Sequence, residues 1–121
     1  MSLTATEKVR AREWYIRGRR GGCVMCALRL PEDRDIDPAF GPELRNIQVH
    51  HGIRQQNLER LGLDLWDERL AVCVCEYHHR RHTDRVRRIV RQALPLALLE
   101  FVAEHDLWPQ FDREYPFGIT T

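Results

Sequence analysis

The chain has no long apolar run and almost no lysine. Its most hydrophobic stretch, ALPLALLEFVA, is broken by Pro95 and Glu100 and falls well short of the ~20 residues that span a bilayer, so no membrane partner is expected. The N-terminal MSLTATEKVRAREW contains no apolar h-region. No secretory signal is therefore expected, and a cytoplasmic, reducing location is. There is no repeat and no interdomain linker, so the 121 residues are expected to form one domain, 1–121, with a modest core. Lys8 is the only lysine among 19 basic residues. Arginine suits bidentate contacts to phosphate.

What is present is unevenly placed. The net charge of +1 hides two basic blocks. One holds Arg10, Arg12, Arg17, Arg19, Arg20 and Arg29 against only Glu13. The other holds Arg80, Arg81, Arg85, Arg87, Arg88 and Arg91 against only Asp84. A solvated helix face explains either block alone, but two together suggest a positive surface for an anionic partner. Four cysteines in a reducing compartment point to metal rather than to disulfides.

Patterning predicts an α+β domain. Residues 4–18 read as a helix, capped by Thr4 or Thr6, with Val9, Trp14 and Ile16 as its apolar side. Pro31 to Gly41 reads as an acidic loop. NIQVHH reads as a strand, GIRQQNLERLGLDLWDE as an ordered loop or short helix, and LAVCVC as a buried strand. A helix is expected from Tyr77 to about Arg91. Pro95 opens another, with Leu98, Leu99, Phe101, Val102 and His105 on one side. The tail LWPQFDREYPF, reaching Phe117, is expected to clasp the core and to carry no site.

Two metal sites emerge from spacing. Cys23-Val-Met-Cys26 is a C-x2-C pair, and Cys75-Glu-Tyr-His78 is C-x2-H. Together they form a tetrahedral set of three thiolates and one imidazole, a common structural zinc composition. Cys73 lies on the same strand face as Cys75 and competes with it for the ion. Cys75 keeps His78 at the knuckle spacing, whereas Cys73 reads as a small buried neighbour. The remaining histidines fall at the end of the first strand and on the helix. His50 and His79, with His82 as a third ligand, can hold one divalent cation. His51 is left as a general base to activate water.

This joint pattern resembles the zinc-containing HNH endonucleases, over about Cys23 to Arg91: C-x2-C, a His-His pair at a strand end, then a second knuckle followed at once by His. VHHGIRQQNLERLGLDLWDERLAVCVCEYHHRRH and ALPLALLEFVAEHDLW are similar to small HNH proteins carried by bacteriophages of actinobacteria. The resemblance implies a ββα-metal finger at residues 23–91 braced by a zinc knuckle. It would be flanked by the N-terminal helix and by a C-terminal helix and aromatic tail at 95–117. It implies His50 and His79 as ligands of the catalytic ion and His51 as the base. It implies DNA as substrate and 5′-phosphate and 3′-hydroxyl products. Magnesium or manganese is the expected catalytic ion, with nickel or zinc also suited to a histidine site. Arg80, Arg81, Arg85, Arg87 and Arg88 would contact DNA phosphates. Cutting both strands would require a homodimer or two successive events.

The sequence departs from the family in three places. The second knuckle ends in His78 rather than Cys. Leu70 follows WDER where the family has Asn, which supports the loop and orients the base. Thr83, not a histidine, lies four residues after His79. Leu70 favours the competing expectation, a catalytically weak or inactive zinc-stabilised DNA-binding or adaptor protein of the same fold.

Overall fold

The computed structural model describes residues 4–20, 22–28, 47–86 and 88–116. The expected acidic loop, Arg29, Arg87 and Phe117 lie outside the described residues. The element order is α1 (Ala5–Gly18), α2 (Val24–Leu28), β1 (Ile47–His51), α3 (Gln55–Arg60), a 3-10 turn (Glu68–Leu70), β2 (Ala71–Cys75), α4 (Glu76–Thr83), a second 3-10 turn (Arg91–Ala93), α5 (Leu96–Glu104) and α6 (Trp108–Glu114). β1 and β2 form an antiparallel two-stranded sheet, with Ile47 opposite Cys75, Val49 opposite Cys73 and His51 opposite Ala71. With α4 this makes an α+β fold, a ββα-metal finger braced by a knuckle-like cysteine and histidine cluster. No helix among the described residues is long and apolar enough to cross a membrane.

A lone hairpin is marginal in water, so both faces of the sheet need cover. Side chains alternate across a strand. Gln48, His50, Val72 and Val74 therefore share one face, and Val49, His51, Ala71 and Cys73 the other. α1 covers the second face. It starts in a capping box, in which Thr4 accepts from the Glu7 amide and Glu7 accepts from the Thr4 amide. Its last residue, Gly18, lies so close to the sheet that a Cβ there would sit 2.8 Å from Val49. Of the expected apolar side, only Trp14 is buried. Val9 and Ile16 are 56% and 53% exposed, because α1 touches the sheet along a narrow line and not along a full stripe.

The helix expected to run to Arg91 stops at Thr83. Arg85 takes a left-handed φ of 58°. Its amide donates to the His82 carbonyl, and the Val86 amide donates to the Arg81 carbonyl. This is a Schellman termination built on arginine where glycine is usual. α5 ends the same way on Asp106, at φ 52°, with the Leu107 amide donating to the Val102 carbonyl. Both turns reverse the chain. The first brings Ile89 back onto α4, and the second lays α6 across the core, where Phe111 and Glu114 are buried. Leu98, Phe101 and Val102 of α5 are also buried. Leu98 packs on Gly52 so closely that any Cβ at that position would run into it.

Candidate metal centres

Cys75 is both the last residue of β2 and the N-cap of α4. No linker separates strand from helix, and His78 in the first turn faces back toward the sulfurs. Cys23 and Cys26 come from the start of α2. The Cys26 amide points at Cys23 Sγ (3.4 Å), as knuckle amides do toward thiolates. Cys26 Sγ lies 3.8 Å from Cys75 Sγ. His78 Nδ1 lies 3.5 Å from Cys23 Sγ, 3.5 Å from Cys26 Sγ and 3.2 Å from Cys75 Sγ. A tetrahedral zinc with bonds of about 2.3 Å to sulfur sets its sulfurs about 3.8 Å apart. The four groups therefore fit that ion by spacing as well as by chemistry. Cys73 is buried outside this cluster, with its thiol directed at the Arg19 carbonyl (3.6 Å). The structure brings Cys75, and not Cys73, together with Cys23, Cys26 and His78.

A second group lies on the opposite sheet face. Ligand atoms of His50, His82 and Glu114 fall within 4.8 Å of one another, compact enough for a divalent ion. His50 and His82 were expected together. Glu114 was not, and the aromatic tail is more than a clasp. Glu114 Oε1 accepts from His82 Nε2 (2.7 Å), and Oε2 accepts from Arg54 Nε (2.9 Å). His50 Nε2 is 3.9 Å from Oε1. Burial alone would raise the Glu114 carboxyl, but its hydrogen bonds from His82 and Arg54 bring it down to about 2. Burial, and then the neighbouring His82, push His50 down to about 3. Burial also lowers His51 and His79 and pushes Tyr115 well up. His50, His51 and His79 are therefore neutral at physiological pH.

Hydrogen bonds fix which nitrogen of each ring keeps its lone pair. The Ile89 amide donates to His82 Nδ1 (2.9 Å). His82 therefore carries its proton on Nε2 and gives it to Glu114. Tyr115 Oη donates to the Gly52 carbonyl (2.8 Å), so His50 Nε2 donates to Tyr115 Oη (3.1 Å) and His50 Nδ1 is left open. His79 Nδ1 donates to Gln48 Oε1 (2.7 Å), which leaves Nε2 open. The His50 and His79 ring centroids are 5.5 Å apart.

His51 points to the other face. Its ring stacks on Trp14 at 4.2 Å and meets the edge of Trp66 at 5.5 Å. Nε2 donates to the Leu65 carbonyl (2.9 Å), and Nδ1 accepts from Gln55 Nε2 (3.2 Å). Leu70, which the resemblance sets against an Asn, is wholly buried. Backbone hydrogen bonds and the Trp14 side chain tie this loop down. The Leu70 carbonyl accepts from the Gly52 amide (2.8 Å), and Trp14 Nε1 ties down the Asp67 carbonyl (2.9 Å).

The expected phosphate arginines divide. Arg80 and Arg81 are exposed on α4, one paired with Glu76 and the other lying over Tyr77 at 4.9 Å. Arg85 is exposed. Arg88 is turned inward, with its side chain 13% exposed and Nη1 3.4 Å from the Glu114 carbonyl oxygen. No protein-family model, curated protein or solved structure matches the chain. The sheet, α4 and the two clusters nevertheless make an HNH-like metal finger.

The cluster around Cys23 predicts tightly held zinc. Elemental analysis should show that Cys75→Ser loses one zinc per chain relative to wild type, while Cys73→Ser retains it. Equal zinc in both variants would refute the ligand set. The burial of neutral His50 predicts acid sensitivity. Its folded pKa of about 3 lies below its ordinary 6.5, so the unfolded chain binds the proton first. Stability is then full above pH 6.5 and falls as pH drops toward 3, by up to about 1.4 kcal/mol per pH unit. Urea melts from pH 6.5 to 4.5, without added divalent ion, should slope less steeply in His50→Gln than in wild type. Parallel slopes would remove His50 as the cause.

Proposed function

We propose that this chain is a metal-dependent DNA endonuclease of the HNH type, hydrolysing phosphodiester bonds with His51 as general base. The observation that carries this reading is the bond from His51 Nε2 to the Leu65 carbonyl. A carbonyl only accepts, so the proton sits on Nε2 and the basic lone pair on Nδ1. Trp14 and Trp66 hold the ring in place, and burial keeps it neutral. Such a base is pre-oriented to take a proton from water, with Gln55 as the group that water displaces.

His50 and His79 are the residues that would hold the divalent ion, through His50 Nδ1 and His79 Nε2. A bound divalent ion at such a site neutralises charge on the phosphate and on the departing oxygen. His82 is assigned to Glu114 and not to the ion, because the Ile89 amide occupies the nitrogen whose proton a metal-bound imidazole normally gives away. Arg80, Arg81 and Arg85 are assigned to flanking phosphates, which supply affinity with little sequence readout. Gln55 on His51 Nδ1 favours one competing reading, a DNA-binding relic whose base is capped.

Cleavage of supercoiled plasmid separates the two readings. The purified protein should nick in Mg2+, Mn2+ or Ni2+, fall silent in EDTA, and lose all nicking in His51→Ala without losing DNA binding. A folded, zinc-loaded wild type that cuts with none of these ions would establish the relic. The ligand assignment has its own check. Gln48→Leu removes the acceptor that orients His79, and second-shell losses of this kind cost about 10–100-fold in metal affinity. Calorimetric titration of the zinc-loaded protein with Mn2+ should show that loss. An unchanged affinity would return the ion to His50, His82 and Glu114.

A further inference from the structure

We propose that Arg54 is a phosphate-binding residue of this site, anchored by Glu114 through Nε and presenting its outer N–H groups to a phosphodiester. The proposal rests on the nuclease reading above and deepens it. Arg54 lies outside both basic blocks of the sequence. It follows His51 by three residues and is the N-cap of α3. Its Nε donates to Glu114 Oε2 at 2.9 Å, and its side chain is 48% exposed against 8% for Glu114.

The plain alternative is that Arg54 only neutralises a buried carboxylate. Two observations weigh against it. Glu114 has two other partners: His82 donates to Oε1 at 2.7 Å, and Arg88, 13% exposed, lies in ion-pair range at 3.9 Å from Oε2. An arginine recruited only to neutralise would also spend its donors inside. Arg54 spends one of its five on Glu114, and among the described residues its guanidinium makes no other hydrogen bond. Arg54 and Arg88 set two guanidinium charges against the one carboxylate. The cluster thus carries one excess positive charge beside His50, which complements a single phosphodiester.

Pinning Nε also matters for binding. Guanidinium is planar, and its fork matches two phosphate oxygens at once. A side chain already held at one edge loses less rotamer freedom when the phosphate arrives. Glu114 is in this reading a positioning residue, since it acts through Arg54.

The test compares wild type, Arg54→Ala, Arg54→Lys and Arg113→Ala as zinc-loaded full chains. Arg113 is exposed on α6 and controls for the loss of one charge. Plasmid cleavage, thermal melts and the salt dependence of binding to a labelled duplex are read on each. Arg54→Ala should cut about 100-fold more slowly or worse, as for loss of a transition-state donor. Its slope of log affinity against log salt should shrink by about 1, as for one lost phosphate contact. Arg54→Lys should restore the slope but only part of the rate, because lysine keeps the charge and lacks the fork. A lower melting temperature in Arg54→Ala with cleavage and slope like those of Arg113→Ala would overturn the proposal. Should Arg54→Ala fail to fold, a wild-type rate in Arg54→Lys would overturn it equally. A wild type with neither cleavage nor salt-sensitive binding would defeat the nuclease reading itself, and this proposal with it.

Discussion

The junction at Cys75 is the constraint on which the rest of the structure depends. One residue ends β2, caps α4 and contributes a sulfur to the cluster with Cys23, Cys26 and His78. Two short strands and an eight-residue helix bury too little to hold themselves together. The cluster fixes the strand-to-helix angle directly, and it ties α2 to the same point. Binding energy for such an ion is folding energy. With His78 committed to the sulfurs, the helical repeat determines the rest. His82, four residues on, shares the inward face and is buried. His79, one residue on, is turned aside toward Gln48 of β1.

Glu114 organises the second centre in a comparable way, through charge. It is one buried carboxylate with His82, Arg54 and Arg88 around it and His50 close by. A buried charge is tolerated when its lone pairs are met. Here both oxygens are used, and the cost of burying Arg88 is offset by the same group. Tyr115, the next residue, holds both His50 and the Gly52 carbonyl. α6 is therefore part of the site, although it lies far along the chain from β1 and α4.

The two-strand core, the first helix, the start of α4 and the metal-knuckle set were legible because each carries local chemistry. Alternation marks strands, a capping box marks a helix start, and C-x2-C spacing marks a metal. The rest failed where the signal is not local. The end of α4 was missed because Arg85 adopts the conformation that glycine usually announces. Val9 and Ile16 were assigned inward because apolar periodicity does not show how narrow a helix contact is. Glu114 was missed because no motif includes it. Its trace in the sequence is a carboxylate in step with the aromatics, three residues after Phe111 and one before Tyr115, whereas Asp112 falls on the exposed side. A charged residue on an apolar helix stripe is expensive unless it meets partners, so its presence there is the sign that it does. The proton states of His50, His79 and His82 were beyond any sequence argument. They depend on which backbone amide or carbonyl faces each nitrogen.

The pleat of β1 gives these pieces a common logic. Consecutive residues on a strand point to opposite faces, so His50 and His51 cannot share a wall. His50 goes with Tyr115, Glu114 and α4, and His51 with Trp14 and Trp66. One face gathers charge and open imidazole nitrogens, whereas the other is aromatic and holds the neutral ring of His51. A metal ligand and a base placed on the same face would compete for the same ion and raise each other's proton cost. In the nuclease reading, a metal held at His50 and a base at His51, separated by the strand itself, would act on a group that reaches across its end. That end is closed by Gly52, whose lack of a side chain is required by Leu98 beneath it, and is flanked by Arg54. The backbone geometry of four consecutive residues, from His50 to Ile53, therefore separates the two imidazoles and, in the nuclease reading, leaves the strand end as the place where a phosphodiester would meet both.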